Sequence, residues 1–511
     1  MSKRPNVLFI LSDQHNSKVL GHKGHPDVKT PNLDRLAAEG VRFDNTITQN
    51  PICTPSRVSW LSGQYCHNHG YYGLSGPRPN GLPSILGHFR RGGYRTGAIG
   101  KIHCPEYWIE DDTDVFHETC DCSVGGRSVE YAAYLEERGL TDLEDHAALN
   151  EFGQRGLQSC DGRPSAVSYE DGQEGWAARK AMSVMADCVR DGQPFFLHVS
   201  LPKPHQCYTP AKEFWDLYDE AKLTLPPNAD WDLAGKAPNL RRMAEYWRTG
   251  KWALFEPKTF EAARLRKLHG YLGSVSHVDH AVGELLDWLR AKGLEEDTIV
   301  IYSSDHGDYA CEHGIMEKAP GICADAITRI PWLWRWPGHL KRGHVVSAIV
   351  ETVDFVNTIC ALAGLDLLET SDGKDLSPLL RGEAAEGHRI GVTEFAFSKS
   401  LRRGSHRLVW YPHDYFKDDY PDGFGELYDL EADPWEVRNL YFDPRHADLV
   451  VELQRELLNW LVATTRPVSV LGVNSEVTVI SPQMVNHYHC WLNPDGKIHP
   501  SRIIPGRSNY V

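Results

Sequence analysis

The chain contains the stretch Thr298-Ile299-Val300-Ile301-Tyr302-Ser303-Ser304-Asp305-His306-Gly307, in which an apolar run stops abruptly at polar residues. Three other runs end in the same way: Val7–Leu11 before Ser12-Asp13-Gln14, Thr96–Ile99 before Gly100-Lys101-Ile102-His103, and Phe195–Val199 before Pro202, Pro204 and His205. Continuous apolar runs of about five residues are typical of strands buried on both faces of a mainly parallel sheet.

Helical patterns lie between these runs. The segment Asn32–Gly40 predicts a short helix with Leu33 and Leu36 on one face and Gly40 as its C-cap. After Thr259, apolar residues recur at steps of three and four, which predicts a long helix: Leu265, Leu268, Leu272, Val275, Val278, Val282, Leu285 and Leu289. Strands alternating with helices indicate an α/β sandwich. Ligands bind beyond the carboxyl ends of the strands in such sheets, so the polar residues there are candidate site residues.

The character of the chain changes near residue 375. Two β-like segments, Ile390–Glu394 and Leu408–Tyr411, precede an amphipathic segment at Ala447–Leu461. We therefore predict a large first domain over residues 1–375 and a smaller C-terminal α+β subdomain over residues 376–511. The last residues are turn-rich, and we expect this extended tail to wrap over the main body or a neighbouring subunit, which favours a symmetric homo-oligomer.

Composition excludes several classes of protein. The chain has 511 residues and a formal net charge of −15, which argues against a general nucleic-acid binder because such a protein presents a basic face. No run is long enough to cross a membrane, and Val7–Leu11 is too short for a secretory segment. Twelve cysteines at irregular spacing predict reduced thiols in a cytoplasmic protein.

A second informative stretch is Cys53-Thr54-Pro55-Ser56-Arg57, followed by the helix-compatible residues 58–61. This places Cys53 at a helix N-terminus, where free backbone N–H groups favour bound anions. For an isolated cysteine, a buried structural role would be the preferred interpretation. The pentad, however, resembles the signature that sulfatases use to mark a cysteine for oxidation to formylglycine.

Further motifs extend the resemblance over most of the chain: Pro5-Asn6-Val7-Leu8, Thr30–Asp34, Leu61-Ser62-Gly63, Gly93–Thr96, Gly100-Lys101, Ser304–Gly307, Arg329-Ile330-Pro331, Trp336-Pro337-Gly338, Leu427–Leu430 and Asp433-Pro434. The chain is similar to type I sulfatases of the alkaline phosphatase superfamily, close to the arylsulfatase and phosphonate monoester hydrolase group. This resemblance implies an alkaline-phosphatase-like sandwich, with a large, mostly parallel sheet flanked by helices.

The resemblance also implies a site for one divalent cation. Asp13, Gln14, Asp305 and His306 match the family's ligands, and Cys53, as formylglycine, would be a further ligand. Oxygen-rich ligands suit Ca²⁺, Mg²⁺ or Mn²⁺. Family members commonly carry aspartate at the position of Gln14 and often asparagine at that of His306. One charge fewer and one imidazole make Mn²⁺ a close alternative to Ca²⁺.

Roles for the catalytic residues follow from the same resemblance. One hydroxyl of the hydrated aldehyde at Cys53 would attack sulfur or phosphorus to form a covalent ester, and the second would expel the product. Arg57 would hold the hydrated aldehyde and the metal-site carboxylates. Lys101 would offset charge on the substrate oxygens, and His103 would act as the base.

Two further residues are expected at the leaving group. His205 matches a histidine that binds a substrate oxygen and protonates the leaving group, and Lys318 matches a lysine that reaches the leaving oxygen. Glu317 stands where a glycine is common in the family. In isolation, His205 would be read as a satisfied loop histidine and Lys318 as a solvated lysine.

Three functions remain open. The leading hypothesis is hydrolysis of sulfate monoesters through a covalent sulfo-enzyme intermediate, with a formylglycine-generating enzyme as maturation partner. The alternative is a phosphonate monoester or phosphodiester hydrolase with the same mechanism. Lys101 and His103 favour the sulfatase, whereas Gln14 and His306 favour the alternative. A remote alternative is a catalytically silent binding protein, which predicts a missing ligand, and none is missing here. The alcohol of the substrate is not specified by the sequence.

Overall fold

The computed structural model describes residues 4–74, 81–105, 107–121, 126–127, 129–141, 162–248, 260–318 and 322–466. Its main feature is an eight-stranded sheet with the spatial order β8-β2-β7-β6-β1-β5-β3-β4. All neighbouring strands pair in parallel except at β7, which runs antiparallel to β2 and β6. The strands are β1 Asn6–Asp13, β2 Val41–Ile47, β3 Arg95–Gly100, β4 Val115–Glu118, β5 Phe195–Pro204, β6 Thr298–Ser304, β7 Arg329–Arg335 and β8 His344–Glu351.

The four strands expected from apolar runs are β1, β3, β5 and β6, and they are consecutive neighbours in the order β6-β1-β5-β3. In the register of the sheet, Ser12 pairs with Ser304, and Ser200 pairs with both Leu11 and Gly100. Their carboxyl ends therefore meet at one edge of the sheet. The prediction of an α/β fold with a large, mostly parallel sheet is confirmed.

Helices cover both faces of this sheet. The longer ones are α1 Pro31–Glu39, α2 Cys53–Ser62, α3 Ile85–Arg91, α4 Val129–Glu137, α5 Gln173–Asp191, α6 Pro238–Arg248, α7 Phe260–Ala291, α8 Asp354–Ala363 and α9 Ala447–Thr464. Short helices lie at Cys66–His69, Trp108–Asp112, Lys212–Trp215, Asp325–Thr328 and Ser377–Arg381.

The strands alternate between two apolar cores. Phe9 of β1 packs with Trp60 of α2 and Phe355 of α8 on one face, whereas Leu8 and Ile10 belong to the core on the other face, which contains α5 and α7. This explains why the predicted strands are continuously apolar, because side chains on both faces are buried.

The short predicted helix corresponds to α1, with Gly40 as its C-cap. Gly40 has a φ of −129°, so it does not take the left-handed conformation of a typical glycine cap. A Cβ atom at this position would come within 2.1 Å of the carbonyl oxygen of Trp334. Glycine is therefore needed here for the close approach of the helix end to β7.

A second, antiparallel sheet follows near the C-terminus, with strands β9 Gly391–Phe395, β10 Ser398–Arg403, β11 His406–Trp410 and β12 Gly425–Asp429. The predicted segments match β9, β11 and α9, whereas β10 and β12 were not predicted as strands. The boundary between residues 375 and 376 stays a prediction. The tail from residue 467 to 511, and with it the argument for a homo-oligomer, lies outside the described residues.

None of the helices in the described ranges has both the length and the apolar character that crossing a bilayer requires.

Candidate active site

The N-terminus of α2 faces the carboxyl end of the main sheet. Cys53 Sγ lies 3.2 Å from His306 Nε2 and 3.8 Å from Asp13 Oδ1. Ligand atoms of Asp13, Cys53, Asp305 and His306 all lie within 4.8 Å of one another, and all four residues are buried. The structure therefore brings together four of the five predicted metal-site residues in a group that could hold one ion.

Arg57 connects the helix to both carboxylates of this group. Its Nε lies 2.9 Å from Asp305 Oδ2, and its Nη2 lies 3.0 Å from Asp13 Oδ2. Its Nη1 donates to the carbonyl oxygen of Lys101 and to Ser200 Oγ, at 2.6 and 2.8 Å. The side chain is fully buried, and burial opposes its charge, but Asp305 and Asp13 raise the pKa of the guanidinium. Arg57 is therefore charged, and it fixes the spacing of the two carboxylates.

The cluster keeps Asp13 ionised and the Cys53 thiol protonated. Burial opposes ionisation of Asp13, but the positive charges of Lys101 and Arg57 outweigh it and hold the pKa of the carboxyl well below its usual value. Lys101 Nζ is 2.7 Å from Asp13 Oδ2. Burial and the charge of Asp13 raise the pKa of the Cys53 thiol to about 12. An unmodified Cys53 is thus a poor nucleophile, because the thiolate is the reactive form.

His306 directs the lone pair of a ring nitrogen at Cys53. Its Nδ1 lies 3.0 Å from the carbonyl oxygen of Gly307. Since a carbonyl only accepts, Nδ1 carries the proton and Nε2 is left unprotonated toward Cys53. Burial lowers the pKa of His306 to about 4, although Asp305 favours its charged form. A neutral imidazole oriented in this way is the form that ligates metal ions.

Gln14 lies beside the cluster at the end of β1, with a φ of 70°. Its backbone N–H donates to Asp305 Oδ1 at 3.0 Å. Its side-chain Oε1 accepts from Lys318 Nζ at 2.9 Å, and its Nε2 donates to Asp308 Oδ2 at 2.5 Å. The amide oxygen of Gln14 thus points to the side of the site on which Lys318 lies.

His103 follows β3 and is almost completely buried, with a φ of 48°. Neither of its ring nitrogens has a hydrogen-bond partner among the described residues. Burial, together with the charges of Lys101 and Arg57, lowers the pKa of His103 well below its usual value. The ring is therefore neutral and has a nitrogen available to accept a proton.

Lys318 and His205 form a contact beside Gln14. Lys318 Nζ is 2.9 Å from His205 Nε2, and His205 Nδ1 is 2.6 Å from the carbonyl oxygen of Gln206. His205 is thus a donor at Nδ1 and an acceptor at Nε2. Burial opposes the charge of Lys318, but the nearby carboxylate of Asp13 raises its pKa. Lys318 therefore holds a proton inside the site.

The chain is similar to known proteins over most of its length. A family model described as Sulfatase matches residues 5–365. The chain belongs to the sulfatase family. A second model, described as N-sulphoglucosamine sulphohydrolase, C-terminal, matches residues 311–462. The chain is assigned on this basis to the sulfuric ester hydrolases.

Several relatives of this sulfatase cover nearly its whole length. An arylsulfatase from Clostridium perfringens is 27% identical over 90% of this chain and 94% of its own length. A choline-sulfatase from Rhizobium meliloti is 28% identical over 86% of this chain and 83% of its own. The solved structure of a phosphonate monoester hydrolase from Silicibacter pomeroyi superimposes with a TM-score of 0.75 at 24% identity, covering 93% of this chain and 98% of that one. The last likeness supports the alkaline-phosphatase-like fold.

Some residues that build the site of this sulfatase were not predicted from the sequence. Thr48 Oγ1 and Ser56 Oγ donate to the carbonyl oxygen of Asp305, at 2.7 and 2.6 Å. Ser56 thereby ties α2, and Thr48 ties the end of β2, to the residue that follows β6. Asp308 contacts Gln14, as described above. Ser56 lies within the quoted pentad and Asp308 directly follows Gly307, so a motif-based search could have found both residues.

Proposed function

We propose that this sulfatase hydrolyses sulfate monoesters with formylglycine formed from Cys53 and with one divalent cation, through a covalent sulfo-enzyme intermediate. The observation that carries the proposal is the buried group of Asp13, Cys53, Asp305 and His306, placed at the start of a helix. A small, negatively charged sulfate ester fits such a site because cationic side chains surround Cys53. Membership of the sulfatase family supports the same reaction class.

The residues present suit a hard cation. Two carboxylates, an amide oxygen and one neutral imidazole match the ligands of Ca²⁺, with Mn²⁺ as a close alternative because of the imidazole. Oxidation of Cys53 to formylglycine would supply an aldehyde hydrate with two hydroxyls on one carbon, and the cation would supply positive charge beside them. We propose that a formylglycine-generating enzyme carries out this oxidation.

Lys101 and His103 would act on the substrate and on the second hydroxyl. Lys101 is within an ion-pair distance of Asp13, so its charge is fixed at the place where negative charge collects during the reaction. His103 is neutral, and its ring nitrogens have no hydrogen-bond partner within the described ranges. A general base needs such a free nitrogen in order to accept a proton. We propose that His103 accepts the proton of the second hydroxyl of the aldehyde hydrate, which expels the product.

Lys318 is the better candidate for the acid that protonates the leaving alcohol. It holds its proton in the site, while His205 receives a hydrogen bond from it. His205 would orient Lys318 and bind a substrate oxygen. The sequence-based assignment gave the proton to His205, so we propose to divide this role between the two residues.

The alternative, a phosphonate monoester or phosphodiester hydrolase, has its own supporting observations. Gln14 and His306 replace residues more common in sulfatases. A protein from Trinickia caryophylli named as a multifunctional alkaline phosphatase superfamily protein is 27% identical over 89% of this chain and 95% of its own length. Both substrates carry one negative charge on a tetrahedral centre, so one site can serve both.

The two activities are separated by comparing kcat/KM for an aryl sulfate and an aryl phosphonate monoester with the same leaving group, on one metal-loaded preparation. We expect a clear preference for the sulfate. A preference for the phosphonate would establish the alternative, and no turnover of either ester would favour a silent binding protein.

The nucleophile is tested with Cys53→Ser. A serine ester cannot eliminate as an aldehyde hydrate does, so multiple turnovers should be lost. Mass spectrometry of the peptide that contains residue 53 in the wild type should show the aldehyde. Turnover of Cys53→Ser at the wild-type rate would contradict the mechanism.

Chelation should inactivate the wild type reversibly, and unchanged activity in metal-free protein would contradict the assignment of Asp13 and Asp305.

A further inference from the structure

The orientation of the Gln14 amide decides whether this residue can ligate a cation. The oxygen Oε1 has lone pairs to offer, whereas the nitrogen Nε2 is a donor and has none. A half-turn about the last side-chain bond exchanges the two atoms with almost no change in shape. Some neighbour must therefore select the orientation in which Oε1 faces the site.

Two charged partners select the same orientation, and a third contact is compatible with it. Asp308 Oδ2 accepts from Gln14 Nε2 at 2.5 Å, and Gln206 Oε1 accepts from the same nitrogen at 3.3 Å. On the other side, Lys318 Nζ donates to Gln14 Oε1 at 2.9 Å. A carboxylate can only accept and an ammonium can only donate, so each of these two charged partners would oppose the reversed amide.

The backbone of Gln14 is also held. Its N–H donates to Asp305 Oδ1 at 3.0 Å, and its carbonyl oxygen accepts from Tyr271 Oη at 2.9 Å. Because both backbone groups are bound, the backbone that carries the Gln14 side chain is fixed beside Asp305.

Asp308 is itself fixed from several directions. It is fully buried, and its Oδ1 accepts from the backbone N–H groups of Ala310 and Glu317, at 2.7 and 3.0 Å. Tyr208 Oη donates to Oδ2 at 2.8 Å. The contact with Glu317 holds the residue that precedes Lys318. One carboxylate thus fixes the backbone next to Lys318 and the amide that Lys318 binds.

We propose that Asp308 is a positioning residue, which keeps Gln14 Oε1 directed at the cation and Lys318 directed at Gln14. This inference rests on the cation of the proposed function. It predicts that the affinity for the cation depends on the accepting carboxylate group of Asp308 and not on the size of this side chain.

The variant Asp308→Asn tests this prediction, because it keeps the shape and the acceptor for Ala310 and Glu317. Its Nδ2 would face Gln14 Nε2, so that two donors meet, and Gln14 would turn its own nitrogen toward the cation. We expect the affinity for Ca²⁺ and Mn²⁺ to fall by about 10- to 100-fold. Titration calorimetry of the metal-free protein with each metal salt measures this without any turnover.

A second substitution should rescue the first. In Gln14→Glu/Asp308→Asn, one carboxylate oxygen of the new glutamate accepts from the asparagine amide and the other stays available to Lys318 and the cation. We expect most of the lost affinity to return. Tyr208→Phe is the matched control, because it removes the other donor to Asp308 Oδ2 but leaves Gln14 its acceptor, and its affinity should equal that of the wild type.

The outcomes separate the two proposals. Wild-type protein that binds neither metal would overturn the cation and this inference together. Wild-type affinity in Asp308→Asn, with the wild type binding normally, would overturn this inference alone. Loss of affinity in Asp308→Asn without rescue in the double variant, or an equal loss in Tyr208→Phe, would show a merely structural role and would also overturn it.

Discussion

Two buried clusters of arginine and carboxylate groups in this molecule use the same components to different ends. At the carboxyl edge of the main sheet, Arg57 binds Asp13 and Asp305. Beneath the C-terminal sheet, Arg407 of β11 binds Glu436, and the backbone N–H of Asp325 donates to the same glutamate at 3.1 Å. All six residues are nearly inaccessible to solvent.

The difference lies in where the remaining acceptors point. Asp325 binds two further arginines: its Oδ2 lies 2.7 Å from Arg329 Nη2, and its Oδ1 lies 3.2 Å from Arg402 Nη1. In the first cluster, Asp13 Oδ1 and His306 Nε2 both face Cys53 instead. The comparison shows that burial and charge alone do not make a binding site. A site arises where acceptors converge on one point, as Asp13 Oδ1 and His306 Nε2 do at Cys53.

The largest effect is expected from Arg57→Met. It leaves Asp13 and Asp305 buried without their partner, which should lower the free energy of unfolding by about 3–5 kcal/mol and abolish turnover. Urea unfolding in the presence of a chelator measures the loss. Added Ca²⁺ or Mn²⁺ should recover part of the stability, because it supplies positive charge at the same place. Stability that does not respond to the cation would contradict the converging-acceptor interpretation.

The parallel change in the second cluster is Arg407→Met. It leaves Glu436 without its guanidinium and should cost about 3 kcal/mol of stability by the same argument. Here kcat/KM per folded molecule should stay at the wild-type value, and added cation should restore nothing. A cation-dependent recovery would mean that the two clusters do not differ in the way described.

A third, less buried cluster gives an intermediate effect that depends on pH. His388 Nε2 lies 2.9 Å from Asp354 Oδ1; burial disfavours the charged imidazole, but Asp354 and Glu351 raise its pKa to about 9. The charged form therefore adds stability that is complete below the unfolded pKa of about 6.5 and is lost as pH rises toward 9. At 1.36 kcal/mol per unit the contribution is about 3 kcal/mol at most.

The variant His388→Gln isolates this contribution. Urea unfolding at several pH values should show a difference between wild type and variant that is largest at pH 6 and shrinks toward pH 9.5. A difference that does not change with pH would assign the stabilisation to packing rather than to charge.

The smallest effect is expected at an exposed ion pair, which serves as a baseline. Arg35 Nη2 lies 3.2 Å from Asp287 Oδ1, and the aspartate side chain is 63% exposed. Asp287→Asn should change the free energy of unfolding by less than about 0.5 kcal/mol, because water screens the pair. A loss comparable to that of Arg407→Met would show that burial is not what distinguishes these clusters.

The strands that carry the site could be predicted from the sequence, whereas the C-terminal sheet was predicted only in part. β1, β3, β5 and β6 are recognisable because both of their faces are buried and their residues are continuously apolar. β10 is hidden because it contains charged residues, two of which pair with distant carboxylates: Arg402 with Asp325, and Arg403 with Glu452. Nothing local in a sequence reveals such partners.

The same limit applies to the site. Asp13 and Asp305 could be found because strand ends and motif residues coincide there. The tautomer of His306 and the amide orientation of Gln14 depend on Gly307, Asp308 and Lys318, and therefore on distances that only the folded chain defines.

The position of Cys53 has a consequence for the timing of synthesis. In the folded chain Cys53 is closed off, and β1, which lies beside it, pairs with β6 from far along the sequence. The ribosome must add roughly 251 further residues after Cys53 before β6 is complete at Ser304, which takes roughly 13–50 s at 5–20 residues per second. Any enzyme that oxidises Cys53 has this interval, before the sheet closes, in which the thiol is within reach.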